Sequence, residues 1–355
     1  MRIVQLNPFH YPFMGGIEHR IHHMSRRLAR KHEVIVVTSR LPGTDKEEMI
    51  DGYRVLRLDS KFVGDYNPPF VTSKGVLKAL EDLTPDIVDF HYRWAPSYTR
   101  QVMRYRGKVV FTYHNTYGEG EGGMKVLSRL NDWAFMRKLL SFDKVVCISE
   151  FVKSDNARHG FPEERMRVVP NGVEMPTEAT RDGGYVLSLG RMVHTKGLQY
   201  LLQAAKEIDA NLIIAGAGPE RERMQALSQR YGLMAKVEFL GRVSEEKKKE
   251  LFSACTVFVM PSLFESYGIA AAEAMSYGKA VVATQVGGLP EVVADCGVLV
   301  PPRDPGALAR AINVLLADRS MREELGRRAR ERASLFSWDR VAEMQERVYL
   351  EVVGQ

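Results

Sequence analysis

Short runs of β-branched and other apolar residues alternate along this chain with longer stretches whose apolar positions recur at helical spacing. In the first half the runs cover 2–6, 33–38, 54–58, 86–90, 108–113 and 144–148. Near-continuous apolar runs of this kind predict strands buried on both faces, as in a parallel sheet. Between them, 17–30 sets Ile21, Met24 and Leu28 on one side and a basic face on the other, which predicts an amphipathic helix. The alternation restarts after a Pro- and Gly-marked stretch, 170–184, with runs at 185–189, 211–215, 236–240, 256–260, 280–283 and 298–300. A last helical pattern, 338–353, follows Phe336 and Ser337.

Strands that alternate with helices imply an α/β architecture with helices on both faces of each sheet. A chain of 355 residues exceeds the roughly 250 to 300 at which a single core stops growing, so two doubly wound parallel-sheet domains are expected. In open α/β sheets ligands bind beyond the carboxyl ends of the strands, and two such domains facing across a cleft would share one site. Polar residues stand at those strand ends. Gly15 and Gly16 follow the first run, His114 ends the run 108–113, Arg191 and Lys196 follow 185–189, and Glu265 follows 256–260.

Composition narrows the class. With 45% hydrophobic and 26% charged residues and no polar low-complexity tract, the chain reads as an ordered globular protein. Its three cysteines, Cys147, Cys255 and Cys296, are far apart and lack zinc-site spacing, so a reducing cytoplasm and no metal are expected. The first residues enter an apolar run without a signal-peptide pattern, and no stretch is apolar enough to span a bilayer. The net charge of +6 favours an anionic partner: a phosphate ligand, an anionic membrane surface or nucleic acid. Nucleic acid is not expected, because neither a recognition fold nor an aromatic-basic platform is present.

The second half carries Gly190-Arg191 and Lys196-Gly197, then Glu265-Ser266-Tyr267-Gly268 and Glu273. In order and spacing these residues resemble glycosyltransferase family 4 of the GT-B fold, with its Arg…Lys pair followed by Glu-x7-Glu. The nucleotide-sugar that this resemblance implies would leave a diphosphate, and stabilising it without a metal takes fixed cations and helix amides aimed at the developing charge. The resemblance extends from the Gly-Gly loop to the last helix. It implies a retaining hexosyltransferase that needs no cofactor and no metal. The donor would be a nucleotide diphosphate sugar, a UDP-sugar by preference or GDP-mannose. Residues 1–172, completed by 338–355, would be the acceptor-side domain, and 173–337 the nucleotide-sugar domain.

The resemblance also implies roles. Arg191 and Lys196 would meet the diphosphate, together with the backbone of Ser266, Tyr267, Gly268 and Ile269, while Glu265 approaches the transferred sugar. Glu273, in the apolar stretch 269–275, would accept the two ribose hydroxyls; a salt bridge to a neighbouring base is the alternative for a carboxylate costly to bury alone. Arg242 and Val243 would hold the nucleobase, largely through backbone groups. Gly15 and Gly16 would turn amides toward a phosphate at the positive end of a helix, or form only a turn. His114 would contact a hydroxyl of the donor sugar, with Asn115 standing where many relatives carry an acid. Asn171-Gly172 matches the interdomain turn. The run Ala215-Gly216-Ala217-Gly218-Pro219-Glu220-Arg221 fails as a dinucleotide fingerprint, which requires glycine where Arg221 stands.

On the acceptor side, 117–123 is rich in Gly and Glu and reads as a lid or an idle loop. Residues 124–140 read as an amphipathic helix whose Val126, Leu127, Leu130, Trp133 and Ala134 are expected to pack into the core, with insertion of that face into a membrane as the alternative. The helix after Gly16 carries Arg20, His22, His23, Arg26, Arg27, Arg30 and Lys31, a basic face for anionic lipid or for solvent, and Tyr92-Arg93-Trp94 offers an aromatic anchor. A lipid-linked acceptor at the cytoplasmic membrane face follows from that reading. The competing class is a non-catalytic GT-B protein that binds a nucleotide-sugar or a partner; the full set of matched polar residues favours the enzyme.

Overall fold

The computed structural model describes residues 1–63, 70–117, 123–177 and 180–354, with side chains of the helix Gly123–Leu139 described from Ser128 onward. The chain divides into two compact units, Met1–Asn171 with Trp338–Gln355, and Gly172–Ser337.

The first unit is built on an eight-stranded sheet of β1 (Arg2–Leu6), β2 (Glu33–Ser39), β3 (Glu47–Ile50), β4 (Tyr53–Leu58), β7 (Ile87–Phe90), β8 (Val109–Tyr113), β9 (Lys144–Cys147) and β10 (Met166–Val168). Its order is β10-β9-β8-β7-β1-β2-β4-β3, parallel throughout except for the edge strand β3. A separate antiparallel hairpin pairs β5 (Ser60–Val63) with β6 (Phe70–Ser73). The second unit has six parallel strands, β11 (Tyr185–Leu189), β12 (Asn211–Ala215), β13 (Val237–Gly241), β14 (Val257–Met260), β15 (Ala280–Thr284) and β16 (Val298–Val300), in the order β13-β12-β11-β14-β15-β16.

Burial explains which strands the apolar pattern reveals. The central strands β7, β8, β14 and β15 are buried at every position, so their sequences are almost wholly apolar. β3 and β5 alternate between partial and full exposure and carry no such run.

The helix Trp338–Val353 belongs to the first unit, where Val341, Val348 and Tyr349 join a core with Ile3, Ile21, Met24 and Val34. Each fully buried aliphatic side chain of this kind contributes about 1.5–3 kcal/mol. The second core gathers Val186, Leu201, Ile214, Val257, Val282 and Ile312. No described helix is long and apolar enough to cross a membrane.

Candidate active site

In the second unit the chain runs outward through β11, β12 and β13 in one direction and through β14, β15 and β16 in the other, so the strand order switches between β11 and β14. A crevice forms beyond the carboxyl ends of two such strands. β11 delivers Gly190 and Arg191, and a single turn, His194–Lys196, delivers Lys196. β14 delivers Ser262 and Glu265. Gly190, Arg191, Lys196 and Ser262 line one cleft. Lys196 Nζ and Glu265 Oε1 form an ion pair, and Ser262 Oγ donates to the same oxygen at 3.1 Å. The Ser262 carbonyl in turn accepts from Thr284 Oγ1 at 2.5 Å. Glu265 is only 8% exposed, whereas Arg191 is open to solvent and has no ion-pair partner among the described residues.

Two glycines make this crossing of main chains feasible. Gly197 has φ +65° and Gly287 φ +56°; a Cβ on the first would collide with the Pro261 carbonyl, and on the second with the Glu265 carbonyl. Gly288 then donates its amide to Glu265 O at 3.0 Å. The rejected fingerprint run has a structural task here, since Gly216 lies against the Gly190 carbonyl and the Ala217 carbonyl accepts from Met192 N at 2.8 Å.

Beyond Glu265, Ser266 is partly buried and Tyr267 is buried with its ring edge toward Phe336. Gly268 caps the helix Ile269–Ser276 with no side-chain hydrogen bond, which leaves the first amides of that helix to a ligand or water. Glu273, on this helix, is held by Lys248 Nζ at 3.0 Å, and Lys248 also holds Glu245 at 2.8 Å. Burial works against the Lys248 charge, but the Glu273 and Glu245 carboxylates outweigh it and lift its pKa far above the usual range. The salt-bridge alternative for Glu273 is therefore realised. Arg242, exposed, and Val243 follow β13, two strands from β11.

In the first unit His114 follows β8 and lines a cavity with Ile17, Tyr92, Trp94 and Asn115. Its Nε2 lies 3.1 Å from Nδ1 of His91. Burial first, then the neighbouring His91, Arg20 and Arg93, holds the His114 pKa well below the usual histidine value, so the ring is neutral. Gly15 is the extended N-cap of the helix Gly16–Leu28. Its amide is taken by Glu18, which also accepts from Asn7 Nδ2 at 2.9 Å. Burial pushes the Glu18 pKa up to about 7 against those hydrogen bonds. The Gly-Gly loop is thus capped by a carboxylate from its own helix instead of offering that amide to a phosphate. The missed signal was Gly15-x-x-Glu18, which has capping-box spacing.

Three readings of the acceptor side are corrected. The basic run on the first helix is largely interior: Arg20 is buried and donates to Pro170 O at 2.6 Å and Asn171 Oδ1 at 3.1 Å, and His22, His23 and Arg27 are buried too. Arg30 and Lys31 pair with Asp339 at 2.9 Å and Glu346 at 3.1 Å on the last helix. Most of that face is therefore taken up by the protein's own interior and last helix. In the proposed aromatic anchor, Arg93 is buried against Asp132 at 2.6 Å, and Tyr92 and Trp94 are partly covered. Finally, Leu130, Trp133 and Ala134 are exposed, while Ser128, Asp132, Phe135, Met136 and Leu139 face inward. Asp132 sets that rotation, because a carboxylate paired with a buried guanidinium has to point inward and takes its helix face with it. Most of the candidate lid, 118–122, and the side chains of Val126 and Leu127 lie outside the described residues.

Two family models match the chain, "Glycosyltransferase Family 4" over residues 14–175 and "Glycosyl transferases group 1" over 176–332. A phosphatidylinositol N-acetylglucosaminyltransferase component of Arabidopsis thaliana is 26% identical, the match covering 98% of this chain and 81% of that protein. The D-rhamnosyltransferase WbpZ of Pseudomonas aeruginosa is 30% identical over 73% of this chain and 72% of its own length. Among solved structures, Anabaena Alr3699/HepE in complex with UDP and glucose superposes with a TM-score of 0.82 at 19% identity, covering 99% of this chain and all of the other.

Proposed function

This chain belongs to the family 4 glycosyltransferases and has the GT-B fold, and from that premise we propose a donor, an acceptor and a stereochemical course. The donor is a nucleotide diphosphate hexose, a UDP-sugar before GDP-mannose, transferred with retention to a lipid-linked acceptor at the cytoplasmic face of a membrane, with no resident metal. The observation that carries the donor reading is the convergence of Arg191, Lys196 and Glu265 at the switch between β11 and β14.

As the bond from sugar to diphosphate breaks, negative charge grows on the leaving phosphate. Arg191, Lys196 and the uncapped amides of the helix Ile269–Ser276 stabilise it, each preorganised donor being worth about 2.7–4 kcal/mol. The Glu265 carboxylate accepts from hydroxyls of the transferred sugar. Glu273, bonded to Lys248, accepts from the ribose hydroxyls through its carboxylate oxygens. The UDP preference is supported by the ligand named with the Anabaena structure.

The acceptor reading is supported by the phosphatidylinositol in the Arabidopsis relative's name and by a surface of the first unit. Leu130, Trp133 and Leu140 are 61%, 54% and 47% exposed on and just after the helix Gly123–Leu139. Arg129, Lys138 and Arg137, whose guanidinium lies 4.2 Å from the Trp133 ring centroid, stand among them. Apolar and aromatic groups ringed by cations suit the interface of an anionic bilayer, where each cation adds about 1 kcal/mol.

Thermal denaturation with a panel of UDP-, GDP- and ADP-sugars, with and without chelator, tests the donor reading. A ligand at a hundred times its dissociation constant adds about 2.7 kcal/mol, and each kcal/mol raises melting by about 2–4 °C in domains of this size. The expected result is one nucleotide class that stabilises the protein regardless of chelator, with the shift lost in Glu273→Ala and Arg191→Ala. A panel with no stabiliser, or a shift that survives both substitutions, overturns the site assignment.

A further inference from the structure

A continuous chain of hydrogen bonds crosses the interior of the first unit and ends on His114. Gln5 in β1 and Asp89 in β7 are buried polar residues inside the parallel sheet. Asp89 Oδ2 lies 2.5 Å from Tyr349 Oη and 3.1 Å from Gln345 Nε2, both on the last helix, and Asp89 Oδ1 lies 2.7 Å from Thr112 Oγ1. Gln5 Nε2 is 2.8 Å from Tyr349 Oη, and Gln5 Oε1 is 2.7 Å from His91 Nε2. His91 Nδ1 then meets His114 Nε2 at 3.1 Å.

The far end sets the direction of every bond. A guanidinium can only donate, so Arg20 Nη2, 3.2 Å from Gln345 Oε1, makes that oxygen the acceptor and turns the Gln345 amide nitrogen toward Asp89. Asp89 therefore accepts, and it takes the single phenolic proton of Tyr349. With that proton committed, the Tyr349 oxygen accepts from the Gln5 amide nitrogen, and Gln5 presents its carbonyl to His91. A carbonyl cannot donate, so His91 carries its proton on Nε2 and a bare lone pair on Nδ1. His114 has to donate to that lone pair.

We propose that this chain locks His114 as the Nε2–H tautomer, so that its Nδ1 lone pair accepts a hydroxyl hydrogen from the bound sugar. Gln5, Asp89, His91 and Tyr349 are then positioning residues, and the last helix, remote in sequence, sets the hydrogen-bonding polarity of the sugar site. The tautomer follows from hydrogen-bond directions with both rings neutral; what Nδ1 meets rests on the transferase reading above. Burial supports the neutrality that a single tautomer requires: it lowers the His91 pKa to about 4, with Asp89 opposing and Arg20 reinforcing the shift. Nδ1 of His114 has no hydrogen-bond partner among the described residues.

The test is a two-bond proton–nitrogen correlation spectrum of the full chain labelled with ¹⁵N-histidine at neutral pH, the His114 signals being identified by their loss in His114→Gln. The expected pattern is neutral Nε2–H for both His91 and His114 in the wild type, and a mixture of tautomers for both in Tyr349→Phe, where Gln5 loses its orienting partner. Transfer by Tyr349→Phe should show kcat lowered by up to about tenfold, the scale of one hydrogen bond, with donor KM unchanged. Met344→Leu, on the same helix but outside the chain, should alter neither spectrum nor kcat. A His114 proton on Nδ1, a charged His114, or unmixed tautomers in a folded Tyr349→Phe overturns the proposal. Should Tyr349→Phe fail to fold, the wild-type spectrum alone decides the tautomer. The Nε2–H spectrum in a protein that transfers no sugar would instead sink the transferase reading and leave the tautomer standing.

Discussion

Lys196→Met separates a structural role of Lys196 from a chemical one. Its ammonium is the ion-pair partner of Glu265, a carboxylate only 8% exposed that also accepts from the Ser262 hydroxyl. Breaking a fully buried pair costs about 3–5 kcal/mol. The Lys196 side chain is 23% exposed, so water screens part of the interaction and about 2 kcal/mol is the fitting magnitude here. For a domain the size of Gly172–Ser337 that is a melting decrease of about 4–8 °C. Adding Glu265→Gln removes the stranded charge at nearly constant shape, and the double variant should recover at least half of the loss in a calorimetric scan. Its transfer activity should stay about 10²–10³ below wild type if Lys196 faces the leaving phosphate as proposed. An unchanged melting temperature in Lys196→Met, or no recovery in the double variant, would refute the pairing argument. Recovery of activity along with stability would refute the leaving-group role.

Three further outcomes are expected. Gly287→Ala places a methyl where the Glu265 carbonyl stands and holds a left-handed φ with a Cβ, at a conformational cost of about 1–2 kcal/mol before any clash; it should lower kcat by about a hundredfold, with a smaller effect on melting, and wild-type kinetics would show that the loop has room. Burial lowers the pKa of His10 to about 3, with His22 and Arg57 adding to it, and that of His22 to about 4, with His23 adding and Asp51 opposing; both rings sit 2.9 Å from Tyr53 Oη. Their folded pKa values lie below 6.5, so their stabilisation is complete above that pH and is lost as pH falls toward 4. Glu18, raised from 4.5 to about 7, has the opposite sign, being fully stabilising below 4.5 and losing that effect as pH rises through 7. Urea unfolding should therefore show an acid loss that Glu18→Gln steepens and His22→Phe flattens; equal slopes in all three proteins would contradict this balance. Trp133→Ser with Leu130→Ser should reduce sedimentation with vesicles of anionic phospholipid by about tenfold or more and leave binding of the soluble donor unchanged. Equal sedimentation would remove this helix from the acceptor reading.

Much of the fold was legible because doubly buried strands are written as unbroken apolar runs, as in 2–6 and 185–189, which became the central strands β1 and β11. Arg191 and Lys196 were legible because polar residues just past such runs line the crevice, and Glu265, also just past one, pairs with Lys196. What stayed hidden depends on partners that only folding supplies. Lys248 meets Glu273 from a neighbouring helix, the constraint on Gly287 is the Glu265 carbonyl, and Asp89 is satisfied by Tyr349, 260 positions away. Gln5 and Asp89 did leave a trace, each being a polar interruption of an apolar strand. The helix Gly123–Leu139 was misread because counting apolar positions ignored Asp132, whose pairing with Arg93 outweighs the burial of Leu130 and Trp133.

The central claim is sugar transfer from a nucleotide diphosphate, and the direct measurement follows both products at once. The wild-type protein is incubated with the stabilising donor and a membrane lipid extract, while free nucleoside diphosphate and sugar-extended lipid are quantified together and the anomeric configuration of the product is read by NMR. Equimolar release and extension are expected, with the donor's anomeric configuration retained, and both should be lost in Lys196→Met. Nucleotide binding with no diphosphate released onto any acceptor, or a product of inverted configuration, would contradict that claim.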